Sequence, residues 1–189
     1  MTRFWVLFVY FVCFVPVGSP GGVRTAQLSP GAGPVIVLDT SKGTIEFETY
    51  PEEAPKTVAA ILALVNSRFY DGQRFHRAEP NFLIQVGDPE SRDMSRREWW
   101  GRGGSGKPVG IAEITKKRRQ IRGAVAMAYA GTDPRGADSQ FYILLKDHPD
   151  LDARYTVFGR VISGLEIADR IQVADVLRRA SVREGSATP

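Results

Sequence analysis

The sequence predicts a mainly β domain, a closed antiparallel β-barrel of about eight strands capped by two α-helices. Short apolar segments of strand length recur along the chain, and glycine and proline separate them. Only two segments show the apolar spacing of a helix. The 189 residues, 43% of them hydrophobic, suit one domain with a sizeable core. We therefore expect a barrel filled by its own side chains, without a second domain.

The first 26 residues are typical of an export signal. Residues 4–17 are apolar and uncharged, and they follow Arg3. The run is shorter than the ~18 to 20 residues of a membrane-spanning helix. Residues 1–26 are therefore predicted to be a signal peptide, and the protein to be exported to the periplasm or the cell exterior. Ala26 suits a cleavage site and Arg24 does not, so an uncleaved N-terminal anchor stays open as the alternative.

The domain is predicted to span residues 35–183, between a flexible lead-in at 27–34 and a flexible tail at 184–189. The lead-in continues a stretch rich in glycine, proline and serine that shows no apolar period. The domain opens with two strands, 35–38 and 44–50, around a turn that contains Gly43. Apolar and polar side chains alternate in the second strand, which predicts a β-hairpin with one buried face.

A helix is predicted at residues 55–66, where Val58, Ile61, Leu62 and Val65 recur at helical spacing after a proline suited to a first turn. Short strands then follow at 74–77, 82–86, 124–128, 140–145 and 155–162. A short helix at 165–171 and a last strand at 178–182 complete the barrel.

Charge and composition exclude several kinds of function. The chain carries a net charge of +4, and residues 27–189 contain 23 basic and 21 acidic side chains, a nearly neutral balance. Cys13, the only cysteine, lies in the apolar N-terminal run, so the domain has neither thiol nor disulfide chemistry. His76 and His148 are the only histidines, too few for a histidine-rich zinc cluster. We expect no metal, no cofactor and a monomer.

Two patterns resemble catalytic or nucleotide-binding motifs but lack the surrounding residues that such motifs require. Ser139, His76 and Asp88 are the residue types of a hydrolase triad, but the serine has no nucleophile-elbow sequence around it. Residues 101–107 fit the GxxxxGK part of a phosphate loop, but Pro108 replaces the required serine or threonine and no apolar strand precedes the loop. Neither hydrolysis nor nucleotide binding is expected.

A basic and aromatic region between residues 92 and 119 leaves two interpretations open. It contains Trp99 and Trp100 together with arginines and lysines. These side chains could be solvated loops that keep the domain soluble, or they could contact an acidic surface. Export makes nucleic acid an unexpected partner, and we expect membrane contact only through an uncleaved N-terminal anchor.

Four segments resemble one family along almost the whole domain. Residues 75–88 read FHRAEPNFLIQVGD, which is similar to the FHRxxPxFxxQxGD segment of cyclophilins. Residues 123–128 and 139–143 resemble the family's GxxxMA and SQFFI segments, and residues 157–161 match its VFGxV strand. The segments occur in family order between residues 35 and 172. The resemblance implies a peptidyl-prolyl cis-trans isomerase that acts in protein folding.

The resemblance also implies site residues. Arg77 and Gln85 are the expected catalytic pair, in which the arginine donates a hydrogen bond to the prolyl nitrogen and the glutamine holds the guanidinium. The expected proline cup and peptide-binding residues are Phe82, Leu83, Ala128, Tyr129, Gln140, Tyr142, Leu151 and Tyr155. The expected partners are proline-containing peptides and unfolded proteins. A proline-binding chaperone or scaffold with weak turnover is the alternative function.

Three positions depart from the family pattern. Tyr142 replaces a phenylalanine and should add a hydroxyl at the rim of the cup. Asp150 stands where many eukaryotic members have tryptophan, and Tyr155 where they have histidine. Tight cyclosporin binding is therefore not expected. The loop at 131–138 resembles that of bacterial members.

Overall fold

A computed structural model describes residues 33–183. Its strands are β1 (Val35–Thr40), β2 (Gly43–Thr49), β3 (Arg77–Glu79), β4 (Leu83–Val86), β5 (Ala124–Met127), β6 (Phe141–Leu144), β7 (Val157–Ser163) and β8 (Leu177–Arg183). The α-helices are α1 (Pro55–Asn66) and α2 (Leu165–Ala168). Short 3-10 helices occupy Pro89–Arg92, Met94–Trp99, Pro134–Gly136 and Pro149–Leu151.

All strand pairs are antiparallel, in the order β3-β4-β6-β5-β7-β2-β1-β8. The sheet curls until the segments before its two edge strands meet. The Phe75 N–H donates to the Asp175 carbonyl oxygen at 3.0 Å, and the Leu177 N–H donates to the Gln73 carbonyl oxygen at 2.8 Å. These bonds join the two ends of the sheet where no strand ladder does.

The interior of the curled sheet is filled by aromatic rings. Phe47 contacts Phe141 and Phe158, with ring centroids 5.9 and 6.0 Å apart. Tyr70 also packs against Phe141, at 5.5 Å, and its hydroxyl donates to the Ser139 carbonyl oxygen. Each fully buried large apolar side chain stabilises the fold by roughly 1.5–3 kcal/mol. These rings hold β2, β6 and β7 in fixed relative positions.

A second, smaller cluster lies apart from this core. Its buried members are Tyr50, Leu83, Ala124, Ala126, Tyr142, Leu144 and Val157. Because successive side chains of a strand point to opposite faces, β4, β5 and β6 contribute to both clusters. Partly buried residues that the resemblance assigns to the site pack on this cluster: Phe82, Ala128, Leu151 and Tyr155.

The predicted fold class, a mainly β domain with eight antiparallel strands and two helices, is confirmed. The strand predicted at 74–77 is displaced, because β3 spans Arg77–Glu79 and Arg74 makes only an isolated bridge to Val176. The second helix is shorter than predicted and ends at Ala168. The predicted signal, most of the lead-in and the tail lie outside the described residues. Between residues 33 and 183, no helix has the length and apolar character needed to cross a membrane.

Candidate active site

A cavity of about 160 Å³ brings together nine of the ten site residues expected from the sequence. They are Arg77, Phe82, Leu83, Gln85, Ala128, Tyr129, Tyr142, Leu151 and Tyr155. The adjacent strands β3, β4 and β6 contain four of these residues, Arg77, Leu83, Gln85 and Tyr142, and Phe82 directly precedes β4. The tenth residue, Gln140, lines a neighbouring cavity and not this one. The site is thus an open cup lined by aromatic, aliphatic and polar side chains, and it includes one guanidinium.

Arg77 is held by two neighbours. Its Nε donates to Glu79 Oε1 at 2.6 Å, and its Cζ lies 5.2 Å from the centroid of the Phe82 ring. The side chain is 42% exposed, so a bound ligand can reach it. A guanidinium carries five N–H donors. The Glu79 bond to Nε therefore leaves the terminal nitrogens available for a ligand.

Gln85 lies directly opposite Arg77 in the β3–β4 register but does not hold it. The Gln85 Nε2 donates to Gln140 Oε1 at 2.8 Å. Gln140 Nε2 in turn donates to the carbonyl oxygens of Gly101 and Gly103, at 3.0 and 2.7 Å. The expectation that Gln85 orients the guanidinium is therefore corrected, because Glu79 and Phe82 contact it instead. The two glutamines bond to each other and, through Gln140, to the segment of residues 101–106, which we call the glycine loop.

Tyr142 forms the floor of the cup and is only 3% exposed. Its hydroxyl donates to Gln120 Oε1 at 3.1 Å, and burial raises its pKa. The hydroxyl expected at the rim is thus buried and hydrogen-bonded. The Tyr155 ring packs edge-on against Tyr142 at 5.7 Å, and Tyr129 lies 5.0 Å from Tyr155. The rings of Tyr142, Tyr155 and Tyr129 therefore form one continuous series of aromatic contacts.

Phe82 and Leu151 also line the cavity. The Phe82 ring lies 4.5 Å from the ring of His148. Leu151 ends a 3-10 helix, and the Asp150 side chain beside it is 70% exposed, within 3.5 Å of His148. Asp150, at the position where many eukaryotic members have tryptophan, therefore presents a solvated carboxylate.

The backbone N–H of Ala128 already has a hydrogen-bond partner within the domain. Its N–H donates to the Gln140 carbonyl oxygen at 2.9 Å, continuing the pairing of β5 with β6. This N–H is therefore not free to hold a peptide, and Gln140 has its amide engaged as well. The roles expected for Ala128 and Gln140 in holding a peptide stay predictions, which for Ala128 now concern its carbonyl oxygen.

His76, next to Arg77, is partly buried, and its ring lies next to Gly101. Both ring nitrogens are shielded from solvent and make no hydrogen bond to the described residues. Burial lowers its pKa, and the Asp88 carboxylate and Gln140 side chain oppose that shift only in part. A neutral imidazole is therefore expected at neutral pH. Among residues 33–183, no group of three or more His, Cys, Asp or Glu side chains could hold a metal ion.

Several residues of the site were missed at the sequence level. Glu79 and Gln120 carry no motif signal, since each acts through a contact made only in the folded chain. Asp88 and Asp138 anchor the glycine loop: Asp88 accepts from the Gly101 N–H at 2.5 Å and Asp138 from the Gly106 N–H at 2.9 Å. Asp88 ends the FHRAEPNFLIQVGD segment, which was the one available signal.

Comparison with known proteins identifies a family for the domain. The family model described as cyclophilin type peptidyl-prolyl cis-trans isomerase/CLD matches residues 35–185. A Brucella abortus (strain 2308) protein named probable peptidyl-prolyl cis-trans isomerase is 37% identical over 168 residues, which cover 87% of this chain and 84% of that protein. Peptidyl-prolyl cis-trans isomerase B of Bacillus subtilis (strain 168) is 41% identical over 138 residues, 73% of this chain and 90% of the relative.

Solved structures agree in fold. A Cryptosporidium parvum cyclophilin type peptidyl-prolyl cis-trans isomerase matches with a TM-score of 0.70 and 26% identity, covering 80% of this chain and 98% of that one. A second crystal structure of that protein, in the presence of the dipeptide Ala-Pro, also gives a TM-score of 0.70 and covers 99% of that chain.

Proposed function

The chain belongs to the cyclophilin-type peptidyl-prolyl cis-trans isomerases, and we propose that it accelerates rotation of Xaa-Pro bonds through Arg77 above the cup formed by Phe82, Leu83 and Tyr142. The observation that carries this assignment of roles is the cavity itself. One accessible guanidinium lines a cavity of about 160 Å³ together with Phe82 and Leu83. Such a cavity fits a proline ring with its amide at the rim.

The chemistry requires that amide resonance be weakened. A peptide bond resists rotation by ~18 to 20 kcal/mol, because conjugation keeps the nitrogen planar. As the bond twists, the nitrogen lone pair localises and becomes a better hydrogen-bond acceptor. A terminal nitrogen of Arg77 donates to that lone pair in the twisted state more strongly than in the planar one. This is differential stabilisation of the transition state, with no covalent step.

The apolar cup supports this step in two ways. Leu83, Tyr142 and Phe82 exclude water from the proline ring, and a less polar surrounding strengthens the charge-assisted hydrogen bond. Glu79 and the Phe82 ring fix the guanidinium before substrate arrives. Little ordering of Arg77 is then needed on binding.

The proposed substrates are exposed proline-containing segments of unfolded or flexible proteins, on which the enzyme acts during folding as a monomer. Support comes from the shallow, open form of the cup and from the related Cryptosporidium parvum enzyme, whose structure was determined in the presence of Ala-Pro. The cavity admits a proline at a chain surface, and prolines in packed cores cannot reach it.

The test compares the protein with its Arg77→Ala and Arg77→Lys variants. Exchange between the cis and trans forms of an Ala-Pro peptide is measured by NMR at equal protein concentration. The unaltered protein should accelerate exchange, Arg77→Ala should lose nearly all of it, and Arg77→Lys should recover little, because an ammonium lacks the planar fork. Acceleration that survives Arg77→Ala would exclude this role for Arg77. Peptide binding without acceleration in any of the three proteins would favour the proline-binding scaffold.

Export is a separate proposal, supported by the apolar run at residues 4–17. N-terminal sequencing of the protein recovered from the producing cell tests it. A new N-terminus near residue 27 supports a cleaved signal, and an intact N-terminus in the membrane fraction supports an anchor. An intact N-terminus in the soluble cytoplasmic fraction would contradict export.

A further inference from the structure

The loop after β4 presents two tryptophans outside the core. It contains the 3-10 helices Pro89–Arg92 and Met94–Trp99. Trp99 is 49% exposed and Met94 is 47% exposed, although tryptophan is usually largely buried. Both side chains belong to the segment that leads from β4 to Arg102, and Arg102 lines a cavity next to the cup. This loop has no part in the catalysis proposed above.

Two arginines lie against these tryptophans without an acidic partner. Arg102 Cζ is 5.0 Å from the centroid of the Trp99 ring, and Arg97 Cζ is 5.9 Å from that of Trp100. Within residues 33–183, neither guanidinium has a carboxylate at ion-pair distance, whereas Arg96 pairs with Glu90 at 2.7 Å. Stacking orients a guanidinium and leaves its in-plane donors open to a carboxylate. The two arginines are therefore positioned cations with free donors.

The loop is held in place by hydrogen bonds. The Asp88 carboxylate accepts from the N–H groups of Glu90 and Gly101, at 2.9 and 2.5 Å. Trp100 Nε1 donates to the Asp93 carbonyl oxygen at 3.1 Å, and Gln140 donates to the carbonyl oxygens of Gly101 and Gly103. Both ends of the tryptophan segment are thus tied to the domain, so binding there needs little ordering.

Arg102 connects this loop to a second cavity, of about 230 Å³, that adjoins the proline cup. Gln85, Ala128 and Tyr129 line both cavities, and Arg102 lines the second one. An extended chain advances about 3.3 Å per residue. A peptide with its proline in the cup would therefore reach Arg102 a few residues further along.

We propose that Arg97, Trp99, Trp100 and Arg102 form a docking surface for acidic side chains in the same polypeptide whose proline occupies the cup. The proposal rests on the isomerase function, since the surface is reached from the proline site. Aspartate or glutamate a few residues from the proline pairs with the free guanidinium of Arg102, and the backbone between packs on Trp99. The enzyme then prefers prolines in acidic segments.

Charge favours a peptide carboxylate over nucleic acid or an anionic membrane. Residues 27–189 are nearly neutral, and the loop itself contains Glu90, Asp93 and Glu98 among its arginines. Trp99 Nε1 donates to Glu98 at 3.1 Å, which places a negative charge inside the surface. Long polyanions need a track of cations with no interruption. Two positioned guanidiniums suit one or two carboxylates.

The test uses the full chain with Trp5→Phe, in which Trp99 and Trp100 are the only tryptophans. Three peptides share one Ala-Pro core and carry two aspartates on its N-terminal side, two aspartates on its C-terminal side, or asparagines at all of these positions. Dissociation constants are measured from tryptophan fluorescence, and exchange rates from NMR. Whichever aspartate peptide reaches Arg102 when its proline is in the cup should bind about 5-fold tighter than the asparagine peptide. Added salt should reduce this ratio of affinities.

Variants assign the preference to the surface. Arg102→Gln should lower the ratio of acidic to asparagine affinity toward one, and Arg97→Gln should lower it in part. Arg170→Ala is the matched control, because Arg170 is an exposed arginine outside both cavities, and it should keep the full ratio. The docking surface would be overturned if the chain without arginine substitutions bound the acidic and asparagine peptides equally well. It would also be overturned if the preference for the acidic peptide remained in the Arg102→Gln/Arg97→Gln double variant.

The two proposals fail differently. If the protein accelerates exchange in the asparagine peptide but binds the aspartate peptides no more tightly, the docking surface is wrong and the catalytic proposal is supported. A gain in affinity for aspartate, lost in Arg102→Gln but with no acceleration of any peptide, supports the surface and removes the catalytic role.

Discussion

The Nε of Arg77 donates to Oε1 of Glu79, two residues further along the same strand, at 2.6 Å. Side chains at i and i+2 of a strand share a face, so β3 itself brings the two groups together. The bond occupies the inner nitrogen of the guanidinium and leaves the terminal nitrogens open. Glu79 is therefore a positioning residue for the proposed donor to the prolyl nitrogen.

We predict that Glu79→Ala lowers kcat/KM by roughly 3- to 10-fold, because the guanidinium loses one of its two supports. The effect should fall on kcat more than on KM, and Glu79→Gln should recover part of it through its side-chain carbonyl. The melting temperature should hardly change, since both side chains are about half exposed and such pairs contribute about 0–1 kcal/mol. Unchanged kcat in Glu79→Ala would remove the positioning role.

Removal of the Tyr142 hydroxyl should cost stability and spare activity. In Tyr142→Phe, the buried Gln120 Oε1 loses its donor, which costs about 1–3 kcal/mol. The ring still packs against Tyr155, so kcat/KM should stay within about 2-fold. Urea unfolding of Tyr142→Phe, Gln120→Met and the double variant measures the coupling. Additive losses in the double variant would show that the two groups do not stabilise one another.

Gly87→Ala should be among the most destabilising small substitutions near the site. Gly87 has φ +118°, and an added Cβ would lie 2.3 Å from the Ser139 carbonyl oxygen. We expect a loss of more than about 2 kcal/mol in the free energy of unfolding. Gly72→Ala is the matched control: its φ is +76° but nothing lies within 4 Å of the added Cβ, so the loss should be smaller. Equal losses would mean that backbone conformation alone, and not the close contact with Ser139 and Gln140, requires Gly87.

His76 should make stability depend on pH. Burial lowers its pKa in the folded state below the ordinary value of about 6.5, so the unfolded chain binds the proton more tightly. Its contribution to stability is then complete above about pH 6.5 and is lost as the pH falls below that value. Urea midpoints compared at about pH 7.5 and about pH 5.5 measure the loss.

The two histidines can be separated by substitution. His148→Gln leaves His76 as the only histidine, and its urea midpoint should still fall between these pH values. His76→Gln should show a smaller fall. An equal fall in both variants would assign the pH dependence to groups other than His76.

The sequence by itself determined the fold class and the composition of the cup. The alternation of apolar residues in 44–50 was sufficient to predict β2, and the helical spacing of apolar residues in 55–66 was sufficient to predict α1. In both elements, the period of the apolar residues shows which face is buried. The FHRAEPNFLIQVGD segment placed Arg77, Phe82, Leu83 and Gln85 in one site before any coordinates. Local pattern carries this information, since each element needs a consistent buried face.

Only the tertiary structure decided which polar groups hold one another. Gln85 faces Arg77 in register but bonds to Gln140, and Tyr142 turns its hydroxyl inward to Gln120. The stacking of Arg102 on Trp99 beside the second cavity was equally absent from any motif. Hydrogen bonds and ring contacts depend on distances and rotamers set by packing across strands far apart in the chain. Spacing along the sequence does not contain those distances.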